Sequence, residues 1–220
     1  MNRGQFIYVK NAARVRTFDP RQIAFANTIT REAQRAGAMQ LRGEYAPFLL
    51  LVKRLRPRRI LEIGLGAGGT LQAFCRIAHE QATVVNIDLP SGPFGGVADD
   101  ADIERIRGYA LPRQTLHLIR ADSHDQATVP KARSCFDGEI DVLFIDGDHR
   151  YEGVRSDFEN YAHLVRKGGI VGFHDIVPGP PESVGGVPQF WEEVKASHPG
   201  SLELVEDWRQ RGYGIGLVKV

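Results

Sequence analysis

Ile60-Leu-Glu-Ile-Gly-Leu-Gly-Ala-Gly-Gly-Thr70 is the stretch that decides the fold of this 220-residue chain. Its apolar residues Ile60, Leu61 and Ile63 form a short run of the kind that a buried parallel strand needs. Four glycines follow, and from Leu71 onward apolar residues recur at helical spacing. We therefore predict a strand, a glycine turn and a helix. Because such a turn lets a ligand approach the backbone and the free N–H groups at the helix start, we expect a nucleotide-like cofactor.

Two cofactor classes compete for this turn. Gly64, Gly66 and Gly69 satisfy the G-x-G-x-x-G spacing of a dinucleotide site, and Asp88 follows at about the distance expected of a ribose-binding acid. Glu62 instead completes the pattern E-x-G-x-G-x-G, which resembles motif I of the class I S-adenosylmethionine-dependent methyltransferases. The turn alone leaves both classes open.

Composition limits the function classes. The chain has 28 Lys and Arg against 27 Asp and Glu, so its net charge would attract neither nucleic acid nor an anionic membrane, and a small-molecule partner fits better. The length predicts a single domain over residues 19–220, preceded by an N-terminal arm over residues 1–18. Cys75 and Cys135 are expected to fill the core. With no signal pattern and no apolar run near the ~18 residues of a membrane span, we expect a cytoplasmic protein.

Polar residues at four successive strand ends are the strongest sign of a binding site. Strands are predicted near 83–89, 116–119, 141–146 and 170–173. The polar residues at their ends are Asp88, Asp122 with Ser123, Asp146, and His174 with Asp175. Since ligands bind outside the carboxyl ends of strands in an open parallel sheet, we expect these side chains to line one crevice.

Two of these groups have rival structural roles. Asp88 could accept hydrogen bonds from both ribose hydroxyls, or it could cap its own strand. Asp122 and Ser123 suit the amine and ring nitrogens of adenine, or they could cap the next helix. We favour the cofactor role in both cases.

The C-terminal segment favours the methyltransferase alternative. Two strands, near 202–205 and 215–218, are joined by a short polar turn and predict a terminal hairpin. A methyltransferase closes its sheet with one antiparallel strand from such a hairpin, whereas a dehydrogenase continues its alternation of strands and helices. Upstream, the apolar spacing from Tyr151 to Val165 predicts one helix that ends at 167–169.

A second motif carries the resemblance to a family. The run FIDGDHRYEGVRSDFENYAHLVRKGGIVGFHDIVPGPPESVGGVPQFWEEVK, over residues 144–195, together with EIGLGAGG, resembles the methyltransferase-24 group, a relative of the catechol-type O-methyltransferases. The similarity extends from about Glu44 to the C-terminus. It implies an α/β, Rossmann-like sheet of seven mostly parallel strands in the order 3-2-1-4-5-7-6, with strand 7 antiparallel and helices on both faces.

The resemblance also implies the cofactor, S-adenosylmethionine, and its contacts. Glycines would line its amino-acid end, an acid would support their loop, and the strand-end residues would hold the ribose and border the adenine. Carried over by position, these residues are Gly64, Gly66 and Gly68 for the amino-acid end, Glu62 for the loop, Asp88 for the ribose, and Asp122 with Ser123 for the adenine. Asp146 is expected beside the cofactor as well.

The catechol-type relatives bind a divalent metal at the acid that ends strand four and use a Lys three residues later as the base. Those positions are Asp146 and His149 here, and an Asp-Asn pair of metal ligands in the relatives is replaced by Asp175 and Ile176, with His174 before them. We predict Asp146, Asp175 and His174 as ligands of Mg²⁺ or Mn²⁺, and His149 or His174 as the base. Metal-free transfer remains the alternative.

Taken together, the residues and the resemblance predict an S-adenosylmethionine-dependent O-methyltransferase that acts on a small hydroxylated acceptor of sugar, polyketide or phenolic type. Acceptor contacts are expected from the loops at 39–44, 90–98 and 178–187, and a homodimer is left open. A nucleotide-dependent oxidoreductase and a non-catalytic S-adenosylmethionine-binding protein are the two alternatives.

Overall fold

The structure, a computed structural model, describes residues 9–10, 18–90 and 100–220. Most of the predicted N-terminal arm and most of the predicted acceptor loop at 90–98 therefore lie outside the described residues. The predicted acceptor loops at 39–44 and 178–187 lie within them.

Helices and strands alternate along the described chain. The helices are α1 (Pro20–Arg35), α2 (Arg42–Arg54), α3 (Gly69–Ile77), α4 (Asp100–Arg107), α5 (Thr128–Ser134), α6 (Tyr151–Tyr161), α7 (Pro181–Val184) and α8 (Val187–Ser197). The strands are β1 (Val9–Lys10), β2 (Arg59–Ile63), β3 (Thr83–Asp88), β4 (Thr115–Arg120), β5 (Ile140–Ile145), β6 (Val165–His174), β7 (Leu202–Leu204) and β8 (Ile215–Lys219).

Local sequence signals explain where these elements lie. The Asp19 carboxylate accepts hydrogen bonds from the backbone N–H groups of Arg21, at 2.7 Å, and Gln22, at 3.0 Å, and Pro20 occupies the first helical turn, so α1 has a well-capped start. Every residue of β5 is buried. This agrees with its apolar run from Val142 to Ile145, since central parallel strands are covered on both faces.

The strands that the structure describes form one sheet in the order β1-β7-β8-β6-β5-β2-β3-β4. Strands β2 to β6 pair in parallel, whereas β8 pairs antiparallel with both β6 and β7. Counted from β2, this is the predicted order 3-2-1-4-5-7-6 with an antiparallel strand 7, which is therefore confirmed. An eighth strand, β1, extends the edge by pairing with β7.

Helices cover both faces of the sheet, as predicted. On one face Phe48 of α2 packs against Phe144 of β5, with ring centroids 5.0 Å apart. On the other face Phe173 of β6 packs against Trp191 of α8, at 5.6 Å. These aromatic side chains are fully buried, so truncation of Phe144 to Ala should cost about 3–5 kcal/mol of stability.

The helix that begins at Tyr151 is shorter than the sequence predicts. Helix α6 ends at Tyr161, a 3-10 turn covers Ala162–Leu164, and Val165 already begins β6, opposite Ile140. Val165 has the spacing of a buried helical residue, but it is buried because it lies in β6 and pairs with β5. None of the helices in residues 18–90 and 100–220 has the length and apolar content that a bilayer crossing requires.

Candidate active site

A cavity of about 560 Å³ opens at the carboxyl ends of the parallel strands. Its walls come from the segments that follow β2, β3, β4 and β5, with a contribution from α7 and its flanks. The predicted site residues that line it are Gly64, Asp88, Asp122, Ser123 and His149. Glu62, Gly66, Gly68, Asp146, His174 and Asp175 are not among its lining residues. The volume is in the usual range for small-molecule sites.

A larger and more open groove, of about 690 Å³, lies among α1, α3 and α4. Its lining includes Arg35, Arg76 and Arg105 but none of the strand-end residues. We therefore take the smaller cavity as the candidate site, because the strand-end acids and His149 line it and the larger groove has none of them.

The glycine turn contains two glycines with different tasks. Gly64 has φ +91°, and a Cβ added there would lie 2.0 Å from the carbonyl oxygen of Asp146. A side chain at Gly64 would therefore push the turn away from the end of β5. Gly66 has φ +51°, and a Cβ added there would meet nothing within 4 Å. Gly66 is thus not needed for packing, and its open surroundings suit the approach of a ligand.

Glu62 reaches the glycine turn through a second residue, Asn86. The amide of Asn86 donates to the Glu62 carboxylate at 2.9 Å and to the carbonyl oxygen of Gly64 at 3.1 Å. Burial raises the pKa of Glu62 well above its usual value, although the Asn86 hydrogen bond opposes this shift. Asn86 therefore fixes the start of the turn, a role that the sequence analysis missed.

Asp88 and Asp122 line the same cavity because β3 and β4 pair in parallel, with Asp88 opposite Arg120. Asp88 accepts a hydrogen bond from the Leu65 backbone N–H at 3.3 Å, which ties it to the glycine turn. Asp122 accepts from the backbone N–H of His124 at 2.9 Å, and the Tyr161 hydroxyl holds the carbonyl oxygen of Ser123 at 2.8 Å. The strand-end acids are thus held in one crevice.

Two carboxylates and two imidazoles meet where β5 and β6 end. Nδ1 of His174 lies 3.1 Å from Oδ1 of Asp146 and 3.2 Å from Oδ2 of Asp175. Nε2 of His149 lies 3.7 Å from Oδ1 of Asp146 and 3.5 Å from Oδ2 of Asp175. Each imidazole therefore bridges the same pair of carboxylates. The other ring nitrogen of His149 contacts the carbonyl oxygen of Ser183.

These groups shift one another's pKa. Burial acts to raise the pKa of Asp146, but His174 and His149 outweigh it and lower that pKa to about 2. The contact with Asp146 raises the pKa of His149 to about 9. Burial acts to lower the pKa of His174, and the charges of Asp146 and Asp175 reverse this and raise it. The cluster therefore favours a positive charge between the two carboxylates.

The same cluster offers donor atoms for a metal ion. One atom each from Asp146, His149 and Asp175 lies within 4.8 Å of the others. Two carboxylate oxygens and one imidazole nitrogen fit a divalent ion such as Mg²⁺ or Mn²⁺. The sequence predicts His174 as the third ligand, and the structure also brings His149 within reach of the same two carboxylates. His174 is only 3% exposed, and its Nδ1 already contacts both carboxylates.

Two buried residues near the start of α2 support the cluster. Gln40 donates to Oδ2 of Asp146 at 2.9 Å and accepts from the Thr70 hydroxyl at 3.1 Å. The carboxylate of Glu44 accepts from the backbone N–H groups of Leu41, at 2.9 Å, and Gly214, at 2.8 Å. Both residues fall in the loop at 39–44 that was expected to contact the acceptor, and Glu44 also takes the third position of a helix, where an acid can accept from the preceding backbone.

This fold and the strand-end site define a Rossmann-like methyltransferase. An O-methyltransferase from Bacillus cereus in complex with SAH (S-adenosylhomocysteine) superposes with a TM-score of 0.58 at 20% identity, over 95% of each chain. The MycE methyltransferase of the mycinamycin biosynthetic pathway, in complex with Mg, SAH and mycinamycin VI, superposes with a TM-score of 0.51 at 18% identity. That match covers 69% of this chain and 39% of MycE.

A family model described as a methyltransferase domain matches residues 61–176. The chain belongs to this family, which confirms the resemblance to the methyltransferase-24 group. An uncharacterized protein, y4gI, of Sinorhizobium fredii (strain NBRC 101917 / NGR234) is 31% identical over 167 residues. The match covers 70% of this chain and 17% of y4gI, so the chain spans a minor part of that relative's length.

Proposed function

We propose that the protein is an S-adenosylmethionine-dependent O-methyltransferase for a small hydroxylated acceptor. The observation that carries this proposal is a cavity that joins a glycine turn and two strand-end acids to His149, which contacts the carboxylates of Asp146 and Asp175. The first group suits a nucleoside cofactor, and the second suits an acceptor hydroxyl that must lose its proton.

The cofactor would lie across the ends of β2, β3 and β4. Asp88 would accept the ribose hydroxyls, and Asp122 with Ser123 would border the adenine. Of the described residues that line the cavity, Arg150 is the only arginine, and Asp148 already binds its guanidinium at 2.9 Å. This pairing suits the diphosphate of a dinucleotide poorly and favours a sulfonium cofactor.

The remaining task is to align the acceptor oxygen with the methyl group and to remove its proton. Asp146, His149 and Asp175 would hold a divalent ion, and their donor set fits one. When bound, such an ion supplies a positive charge that lowers the pKa of an acceptor hydroxyl. Gln40 and His174 orient the Asp146 carboxylate, and the backbone N–H of Tyr213 holds Oδ1 of Asp175 at 2.9 Å.

Three measurements test this proposal. Titration calorimetry should give a measurable affinity for S-adenosylhomocysteine and none for NADH. Radiolabelled S-adenosylmethionine should then transfer methyl groups to members of a panel of sugars, polyketides and phenols. Exhaustive chelation should stop the transfer, and separate addition of Mg²⁺, Mn²⁺ and Zn²⁺ should identify the ion that restores it.

Two carboxylates at opposite ends of β5 provide a matched pair of variants. Asp146→Asn should abolish transfer. Asp141→Asn changes a buried acid at the other end of β5. This acid contacts Arg166 and the backbone N–H groups of Arg58 and Arg59, so the variant should reduce stability without a comparable loss of turnover.

NADH binding without S-adenosylhomocysteine binding would indicate an oxidoreductase. Cofactor binding without transfer to any hydroxyl would indicate a binding protein.

A further inference from the structure

Asp157 is a buried carboxylate that the proposed function leaves without a task. It lies on α6 with no exposed surface, and neither of its carboxylate oxygens has an aligned hydrogen-bond partner among the described residues. Nε2 of His124 lies 3.3 Å from its Oδ1, close but outside hydrogen-bond alignment. A buried carboxylate without compensation is strongly destabilising. A proton on Nε2 of His124 would offset it, because this nitrogen lies next to the carboxylate.

His124 connects this buried acid to the cavity. It lines the cavity, and its Nδ1 lies 3.6 Å from Oδ1 of Asp122. Its backbone N–H donates to the same oxygen at 2.9 Å. The contact with Asp157 raises the pKa of His124, although partial burial opposes the shift. A chain of contacts therefore runs from Asp157 through His124 to Asp122.

This chain determines what Asp122 can offer to a ligand. Both contacts with His124 involve Oδ1 of Asp122, which leaves Oδ2 as the acceptor for a bound group. An ionised carboxylate accepts hydrogen bonds but cannot donate them. Its complement is therefore a donor such as the 6-amino group of adenine. The 6-oxo group of hypoxanthine would set one acceptor against another.

We propose that Asp157 and His124 are positioning residues that hold Asp122 as an acceptor, and that they thereby select a 6-aminopurine over a 6-oxopurine in this cavity. The proposal rests on the proposed function, because the purine is taken to be that of the methyl-donating cofactor. It adds that two residues outside direct ligand contact, Asp157 on α6 and His124 after β4, determine which purine the site prefers.

The test compares two ligands that differ at purine position 6, S-adenosylhomocysteine and S-inosylhomocysteine, by titration calorimetry. The wild-type protein should favour the adenine ligand by about tenfold or more, as expected for a hydrogen bond to a charged acceptor. Asp157→Asn should reduce this preference to below about threefold. His124→Gln should do the same, and because its amide can still donate to Asp157, it keeps the test usable if Asp157→Asn fails to fold.

Tyr151→Phe is the matched control, since it removes from the same helix a hydroxyl that donates to Glu193 but leaves the contacts of His124 in place. It should leave the ratio of the two affinities unchanged. An equal loss of both affinities in Asp157→Asn and His124→Gln would mean a merely structural role and would overturn the inference. Equal wild-type affinities would overturn this inference alone. Binding of neither ligand would reject the proposed function as well.

Discussion

Replacing each of two glycines of the same turn with alanine should separate an effect on protein stability from an effect on cofactor affinity. At Gly64 a Cβ would lie 2.0 Å from the carbonyl oxygen of Asp146 and 2.5 Å from its carbonyl carbon. The end of β5 would have to move by more than an ångström, which strains the hydrogen bond between the Asp146 N–H and the Ile63 carbonyl, now 2.9 Å long. The positive φ adds about 1–2 kcal/mol and the overpacking about 1–3 kcal/mol.

The expected loss for Gly64→Ala is therefore about 2–5 kcal/mol, or roughly 5–20 °C in Tm for a domain of this size. Gly66→Ala carries only the cost of its positive φ, about 1–2 kcal/mol, because the added methyl meets nothing within 4 Å. Its main effect should fall on the affinity for S-adenosylhomocysteine, which should weaken by about tenfold or more as the methyl enters ligand space.

Thermal unfolding measures the loss of stability, and titration calorimetry on the same samples measures the affinity for S-adenosylhomocysteine. Equal destabilisation by the two variants would refute the difference in packing. Wild-type cofactor affinity in a folded Gly66→Ala protein, and also in the bulkier Gly66→Val, would refute the assignment of that space to the ligand.

Three further outcomes are expected. Asp88→Asn should weaken S-adenosylhomocysteine binding by about ten- to a hundredfold while the protein remains folded, and an unchanged Kd would exclude the ribose role. Glu44→Gln leaves a single carbonyl acceptor for the donors now held by two oxygens, so it should cost about 1–3 kcal/mol in chemical denaturation and reduce kcat more than cofactor affinity. The folded protein raises the pKa of Glu62 above its usual 4.5, so this group's stabilising contribution is fully present below that pH and is lost as pH rises through the folded pKa. Glu62→Gln should therefore flatten the decline of unfolding free energy above pH 4.5, and a parallel decline in both proteins would contradict this.

The sequence predicted part of the lining of the cavity because that part depends on chain direction. Asp88, Asp122 and Ser123 each follow a parallel strand, and the carboxyl ends of such strands meet at one edge of the sheet. Gly64 and His149 follow strands β2 and β5 in the same way. The pattern of polar strand ends therefore predicted which side chains after β3 and β4 share a cavity, but it was wrong for Asp146, His174 and Asp175, which meet beside this cavity without lining it.

The contacts of the supporting residues Gln40 and Glu44 could not be predicted from the sequence, because their partners are far away along the chain. Glu44 accepts from Gly214 across 170 positions, and Gln40 donates to Asp146 across 106. No periodicity links residues at such separations. The same reason explains why His149 was expected as a base and not among the candidate metal donors, since its distance to Asp175 depends on the packing of β5 against β6.

The cluster proposed as the reacting end of the site is held by a strained backbone and by distant side chains. Asp175 and Tyr213 both have φ +60°, a left-handed conformation that is costly for residues other than glycine. The strain has a use, because the Tyr213 N–H holds one oxygen of Asp175 while the other faces the imidazoles. Gln40 holds Asp146 from the opposite segment of the chain, and Glu44 ties that segment to Gly214, next to Tyr213. These contacts fix the two carboxylates relative to each other, as the proposed transfer would require for alignment of the acceptor. Acceptor preference should therefore change through the loop at 178–187, whereas substitutions around Asp146 and Asp175 should change turnover for every acceptor.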